Sequence, residues 1–181
     1  METLHPAPGV PVAQRVTAQV GREEIAVFLI GFRINKLWKV HKWVPVARAM
    51  GRMLKELNEA KDSGLRHIET WPGRTSILVQ YWDSFDAIQT YAVDKAKEHI
   101  PAWNAFNKAV GSNGDVGIWH ETYRVHAGDF ECVYNNMPAF GLAAAYDMIP
   151  AEGPYARSES RLAKAKEQLP EKQERLKETA V

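Results

Sequence analysis

The chain has 181 residues, with 23 Lys and Arg against 22 Asp and Glu, so its formal net charge is +1. This length predicts one domain with tails. The near balance of charge favours neither a nucleic acid nor a membrane surface as partner, and the single cysteine, Cys132, excludes an intramolecular disulfide. We therefore expect a cytoplasmic protein with no nucleic-acid or membrane partner.

The two ends of the chain differ in composition from its middle. Residues 1–22 contain three early prolines and no sustained hydrophobic period, which predicts an extended N-terminal arm. Residues 153–181 are rich in charged residues and alanine, which predicts a C-terminal tail that is helical but lacks a broad apolar face. The folded domain is expected between residues 23 and 152.

The first predicted element of this domain is a strand over residues 24–35. Phe28, Ile30, Phe32 and Ile34 alternate onto one apolar face, while Arg33 and Asn35 point the other way. A helix is predicted next over residues 44–60, where apolar residues recur at helical spacing and Pro45 suits a first turn.

The remaining elements complete a ferredoxin-like pattern. Strands over residues 65–71 and 74–82 flank a Pro-Gly turn, and a helix follows with Ser84 as its N-cap. A second helical piece is predicted from Pro101, then a strand over residues 116–125 and a short one over 131–135. The order β-α-β-β-α-β predicts an α+β fold with one open sheet face. Two copies that bury this face would form a dimeric α/β barrel, and the alternative is a monomer whose arm and tail cover it.

His99 is the leading candidate for a functional residue. It shares one predicted helix face with Trp103 and Phe106. Its place at the helix entry favours the neutral imidazole, the form that ligates a metal or accepts a proton. The alternative is a structural histidine that bonds a nearby backbone group.

The strand over residues 116–125 supplies further candidates. Alternation predicts His120 and Arg124 on one face and Trp119 on the other. The polar face is either a chamber wall or an exposed edge. Arg33 could bind a carboxylate in bidentate fashion, or form a surface ion pair.

Four segments carry a family resemblance. They are residues 30–38 (IGFRINKLW), 99–106 (HIPAWNAF), 117–123 (GIWHETY) and 136–142 (NMPAFGL). Together they resemble a family named for a monooxygenase of fumagillin biosynthesis, over about residues 24–145. That family is placed in the dimeric α/β-barrel superfamily, which includes cofactor-free oxygenases, heme-degrading enzymes and heme-containing aldoxime dehydratases.

The resemblance implies a homodimeric oxidoreductase, a monooxygenase acting on a small apolar metabolite in the barrel chamber. Heme is a possible cofactor, because in several heme members of the superfamily a histidine on or near the second helix is the axial ligand and His99 lies in a comparable region. In a cofactor-free enzyme His99 would be a base. The expected catalytic residues are His99, His120, Arg33 and Asn35, and the expected substrate contacts are Trp103, Trp119, Phe106 and Arg124. The alternatives are a heme-dependent dehydratase or lyase of the aldoxime dehydratase kind, and a heme or small-molecule binding protein without activity.

Overall fold

The computed structural model describes residues 3–60, 62–93, 111–167 and 169. In chain order its elements are β1 Val12–Gln19, β2 Glu24–Ile34, α1 Val40–Glu59, β3 Leu65–Trp71, β4 Ile77–Trp82, α2 Phe85–Val93, β5 Val116–His126, β6 Tyr134–Met137, α3 Leu142–Ala145, β7 Asp147–Pro150, a 3-10 helix Gly153–Tyr155 and α4 Ser158–Glu167. None of the helices in these residues is long and apolar enough to cross a membrane.

Four strands form the sheet that the sequence predicts. Their order is β3-β4-β2-β5, with α1 between β2 and β3 and a crossover containing α2 between β4 and β5. This is the ferredoxin-like arrangement, so the predicted α+β fold is confirmed. Ser84 caps α2 as expected, because its hydroxyl accepts a hydrogen bond from the Ala87 N–H at 3.2 Å. The second helical piece, predicted from Pro101, lies outside the described residues.

The core of this sheet lies on the face that α1 and α2 cover, called here the helix face. Val46 and Met50 of α1 pack against Phe32 and Ile34 of β2. The apolar face predicted for β2 is therefore the helix face. The predicted start of α1 is wrong by four residues, since α1 begins at Val40. Pro45 thus lies in the second turn, and its missing N–H leaves the His41 carbonyl without the usual helical donor.

A buried carboxylate joins β2, β5 and the start of α1. The side chain of Asp115 is 2% exposed and lies 2.8 Å from the Nζ atoms of both Lys36 and Lys39. The Asp115 carbonyl accepts hydrogen bonds from the backbone N–H groups of Asn35 and Lys36. Hydrogen bonds from Lys36 and then Lys39 lower the pKa of Asp115 from 3.8 to about 2. The carboxylate is therefore ionised and doubly paired at neutral pH.

The chain forms two compact units, Ala26–Tyr123, and Met1–Ile25 with Arg124–Val181. The second contains a three-stranded sheet of order β6-β1-β7, in which β1 pairs antiparallel with both neighbours. The segment predicted as an N-terminal arm thus supplies a central strand. Polar residues interrupt the apolar alternation that would indicate a strand. The strands with which β1 pairs, β6 and β7, lie more than a hundred residues away in the sequence. The domain limits predicted at residues 22 and 152 stay a prediction.

The compact unit that contains the three-stranded sheet also has a buried ion pair. Arg161 of α4 is 7% exposed, and its guanidinium donates to Glu131 Oε2 at 2.7 Å and to the Tyr155 and Ala156 carbonyls. The nearby Cys132 Sγ accepts a hydrogen bond from the Ala18 N–H at 3.3 Å. These groups line a small cavity, and their satisfied hydrogen bonds give them a structural role.

Asp115→Asn is expected to lower the Tm at pH 7 by roughly 5 °C or more, because two ammonium groups lose their counter-charge. Because the folded-state pKa of Asp115 lies below its unfolded value, its contribution is present above pH 3.8 and is lost as the pH falls towards about 2. The Tm of wild type should therefore fall between pH 3.8 and about pH 2. The variant lacks the ionised carboxylate at every pH, so its Tm should not fall for this reason. Thermal unfolding between pH 7 and pH 2 measures this, with the exposed Asp147→Asn as matched control. Equal Tm values for the two variants at pH 7 would contradict the prediction.

Candidate functional site

The face of the four-stranded sheet opposite α1 and α2 is the candidate site, called here the Trp119 face. Residues directly opposite in antiparallel strands share a face, and Leu29 pairs with Val79, which pairs with Glu69. Strand alternation extends this set. Its members are Val27, Leu29, Gly31 and Arg33 of β2, His67, Glu69 and Trp71 of β3, Ile77, Val79 and Tyr81 of β4, and Trp119, Glu121 and Tyr123 of β5.

Gly31 lets the indole of Trp119 approach the backbone of the sheet. A Cβ atom at position 31 would lie 2.0 Å from the Ser76 carbonyl oxygen and 2.9 Å from Trp119 Nε1. Both distances are below van der Waals contact, so position 31 has no room for a side chain. Two hydrogen bonds hold Ser76 here, since its hydroxyl contacts both the N–H and the carbonyl of Phe32.

The indole N–H of Trp119 is a buried donor without a hydrogen-bond partner in the described part of the chain. Such a group costs free energy until it meets an acceptor. Arg33 projects from the same face, where its Nη1 donates to Thr75 Oγ1 at 2.6 Å. A Cβ at Gly117 would lie 3.9 Å from both Arg33 Cβ and Asn35 Nδ2. Arg33, Asn35 and Trp119 are therefore gathered at one end of the face.

A histidine–carboxylate pair lies on β3 of the same face, at positions that are not among the predicted site residues. His67 Nε2 and Glu69 Oε1 are 2.9 Å apart, and the two side chains are 29% and 20% exposed. The signal was present as a His-x-Glu spacing inside a predicted strand, because residues i and i+2 share a face.

Tyr123 and Glu121 form a second polar pair on β5. The Tyr123 hydroxyl donates to Glu121 Oε2 at 2.6 Å, and this hydrogen bond raises the pKa of Tyr123 above its ordinary value of 10.0. Tyr123 therefore stays protonated at neutral pH. The pair brings a carboxylate onto the same face of the same strand as Trp119, two residues away.

His120 and Arg124 are predicted on the face of β5 opposite Trp119, either as a chamber wall or as an exposed edge, and that choice stays a prediction. The ring of His120 lies 5.6 Å from that of Phe28, which packs on the helix face. Ile118, two residues earlier, also packs on that face, so alternation places His120 there. Arg124 instead pairs with Glu24, Nη2 to Oε2 at 2.7 Å. Val116 and Ile118 already marked the helix face in the sequence.

The predicted residues His99, Trp103 and Phe106 lie outside the described residues. Across the described ranges, no cluster of three or more His, Cys, Asp or Glu could hold a metal ion. His67 is the imidazole that these ranges place on the Trp119 face, and Glu69 already occupies its Nε2. The described residues therefore do not by themselves form a heme site.

The family of the chain follows from its sequence. The model of the Monooxygenase af470-like family matches residues 25–142. The chain therefore belongs to this family of monooxygenase-like proteins, which confirms the resemblance drawn from the four segments. A comparison with curated proteins finds no match.

Solved structures share the fold at low identity. Aldoxime dehydratase OxdRE in complex with butyraldoxime is 15% identical with a TM-score of 0.58, covering 80% of this chain and 43% of that one. Another aldoxime dehydratase is 13% identical with a TM-score of 0.55, covering 93% and 48%. SnoaB, a cofactor-independent oxygenase from Streptomyces nogalater, is 11% identical with a TM-score of 0.40, covering 56% and 91%. The chain spans less than half the length of the two dehydratases.

Gly31→Ala is expected to destabilise the protein by about 2–3 kcal/mol, because the added methyl group must displace the Ser76 backbone or the Trp119 indole. Gly51→Ala is the matched control, since a Cβ there meets nothing within 4 Å. In the interior of α1 that change should stabilise the helix by about 0.5–1 kcal/mol. Urea unfolding of both variants measures the difference. A Gly31→Ala protein as stable as wild type would show that the indole does not pack this closely.

Proposed function

We propose that the protein is a monooxygenase that acts on a small, apolar, electron-rich metabolite bound over the Trp119 face. The observation that carries the proposal is the buried Trp119 N–H, which has no acceptor among the described residues and lies on the same face as Arg33, Leu29 and Val79. A substrate oxygen at this position would satisfy the donor, and the ring of the substrate would cover Leu29, Ile77 and Val79. Membership of the monooxygenase-like family supports the reaction class.

The chemistry proposed for this face needs no external reductant. A base removes a proton from an activated CH₂ group, and the resulting carbanion is stabilised by delocalisation onto the substrate oxygen. Trp119 and Arg33 would stabilise the charge on that oxygen. The carbanion passes electrons to O₂ and forms a carbon–oxygen bond, and the hydroperoxide then loses water. One oxygen atom enters a ketone, the other leaves as water, and the substrate supplies all four electrons.

The predicted residues enter this proposal unequally. Arg33, Asn35 and Trp119 keep their proposed roles because they meet on one face, whereas His120 and Arg124 do not. We retain His99 as the proposed base, with Trp103 and Phe106 as pocket wall. Glu121 is a second candidate base, two residues from Trp119.

We also propose a cytoplasmic homodimer. The Trp119 face carries Trp71, Ile77 and Tyr123 at 44%, 37% and 49% exposure. A second copy packed sheet on sheet would cover these side chains and enclose the substrate.

Trp119→Phe keeps an aromatic ring but removes the N–H donor. A hydrogen bond to a charged oxygen contributes about 1.5–3 kcal/mol, so kcat/KM for O₂ consumption should fall about 10- to 100-fold. The measurement is O₂ uptake with 9-anthrone and 1-naphthol as probes. Trp43→Phe is the control, because its indole N–H already donates to the Leu37 carbonyl and it packs on the helix face. Equal losses in both variants would oppose a role for the Trp119 donor, and no O₂ uptake by wild type would oppose the oxygenase.

A dehydratase is the second candidate function. The likeness to aldoxime dehydratases extends over 80% and 93% of the chain with TM-scores above 0.5, so it covers both compact units. Dehydration of an aldoxime to a nitrile and water involves no net oxidation and needs no O₂. Heme held by His99 would belong to this version or to a heme-dependent oxygenase.

Titration with hemin separates the heme versions from the cofactor-free one. If His99 is the axial ligand, added hemin should give a Soret band that His99→Ala shifts or abolishes, while the exposed His126→Ala leaves it unchanged. Conversion of butyraldoxime under anaerobic conditions would then identify the dehydratase. A protein that binds no hemin leaves the cofactor-free oxygenase as the proposed function.

A further inference from the structure

The formal net charge of +1 conceals a strong segregation of charge along the chain. Residues 25–55 contain seven Lys or Arg and no Asp or Glu. The other 16 Lys or Arg and all 22 Asp or Glu lie in the rest of the chain. This basic segment comprises most of β2, the turn after it and most of α1. Lys36 and Lys39 of this segment pair with Asp115, and Arg33 lies on the Trp119 face, so the exposed bases that remain together are those of α1.

The turn between β2 and α1 exposes apolar side chains. Leu37, Trp38 and Val40 are 52%, 75% and 50% exposed, and Trp38 is the most exposed large hydrophobic residue of the described ranges. The turn is well held, since the Lys39 N–H donates to the Lys36 carbonyl and both ammonium groups bind Asp115. Trp38 is thus presented to solvent by a fixed backbone.

The outer side of α1 continues this surface with basic residues. Arg48, Arg52 and Lys55 are exposed and follow one another at spacings of four and three, so they share a helix face. Glu59 lies on the same face, with its Oε1 3.9 Å from Lys55 Nζ, so three basic side chains stand beside one acid there. The buried residues Val46 and Met50 lie on the opposite side, against the sheet. The apolar face of α1 is buried and cannot insert, but exposed Leu and Trp side chains beside exposed basic ones supply the apolar and the electrostatic attraction that hold a protein on an anionic membrane surface.

We propose that the Leu37–Trp38 turn and the basic face of α1 dock this protein on an anionic lipid surface. Cations attract the lipid headgroups, and the Trp38 ring occupies the boundary between headgroups and acyl chains. A nucleic acid would satisfy the basic residues but not the aliphatic Leu37 and Val40, so the lipid surface is favoured. The proposal does not depend on the proposed oxygenase reaction.

This mode of docking leaves the candidate site free. α1 packs on the helix face of the sheet, so its outer side points away from the Trp119 face. A membrane-bound protein could then take an apolar metabolite from the lipid while its Trp119 face stays available to substrate or a second copy.

Vesicle flotation tests the proposal with the full chain. Wild type should float with vesicles of phosphatidylcholine and phosphatidylglycerol at low salt, and much less with pure phosphatidylcholine or at high salt. Arg48→Gln combined with Arg52→Gln should weaken binding about 25-fold, at about fivefold for each charge. Trp38→Ala should weaken it roughly tenfold or more.

Matched controls separate this surface from a general effect of charge or hydrophobicity. Arg157→Gln combined with Lys164→Gln changes net charge equally in the other compact unit, and Val93→Ala removes an apolar side chain that is 68% exposed. Both controls should bind like wild type, and the Tm of each variant verifies its folding. Absence of flotation, binding that ignores phosphatidylglycerol, or equal losses in the controls would each overturn the proposal.

Quenching by brominated lipids tests whether Trp38 enters the interface. Vesicles with bromine on the acyl chains should quench part of the tryptophan fluorescence of wild type and much less of it in Trp38→Phe, which still binds. Equal quenching of the two proteins would overturn the insertion of Trp38. Binding of a DNA duplex in place of vesicles, lost in the Arg48 and Arg52 variant, would overturn the choice of a lipid partner.

Discussion

The ion pairs of Asp115 are the constraint on which this structure depends. Two strands adjacent in the sheet but separated by more than eighty residues meet where the carboxylate binds Lys36 and Lys39. The same contact fixes the turn into α1, and α1 in turn covers one face of the sheet. A buried carboxylate without these cations would be strongly destabilising, so pairing and fold are coupled. The basic turn before α1 therefore has a structural role.

The candidate site results from close packing on the other face of that sheet. Gly31 permits the Trp119 indole to lie against the backbone, and this approach buries an N–H for which the described part of the chain supplies no acceptor. Arg33 and Asn35 are placed beside it by the same strand that contributes Phe32 and Ile34 to the core. Alternation along one strand therefore builds the core and the site together.

Local patterns predicted most of the ferredoxin-like unit. The strand over residues 24–35, the hairpin around the Pro-Gly turn and the cap at Ser84 follow from two-residue alternation and turn chemistry, which depend on neighbouring residues. The arm was misjudged because the strand Val12–Gln19 is stabilised by partners at the other end of the chain. Alternation places His120 opposite Trp119, but which of these two faces packs against the helices depends on contacts with α1 and α2.

The sequence by itself determined the family, the β-α-β-β-α-β order and the side of β2 on which Arg33 and Asn35 lie, because these properties reside in contiguous residues. Only the tertiary structure decided that Trp119 joins Arg33 while His120 does not, that His67 pairs with Glu69, and that Asp115 binds two lysines. These facts depend on strand register and close approach across the sheet, which side-chain packing sets over the whole unit and no local pattern encodes.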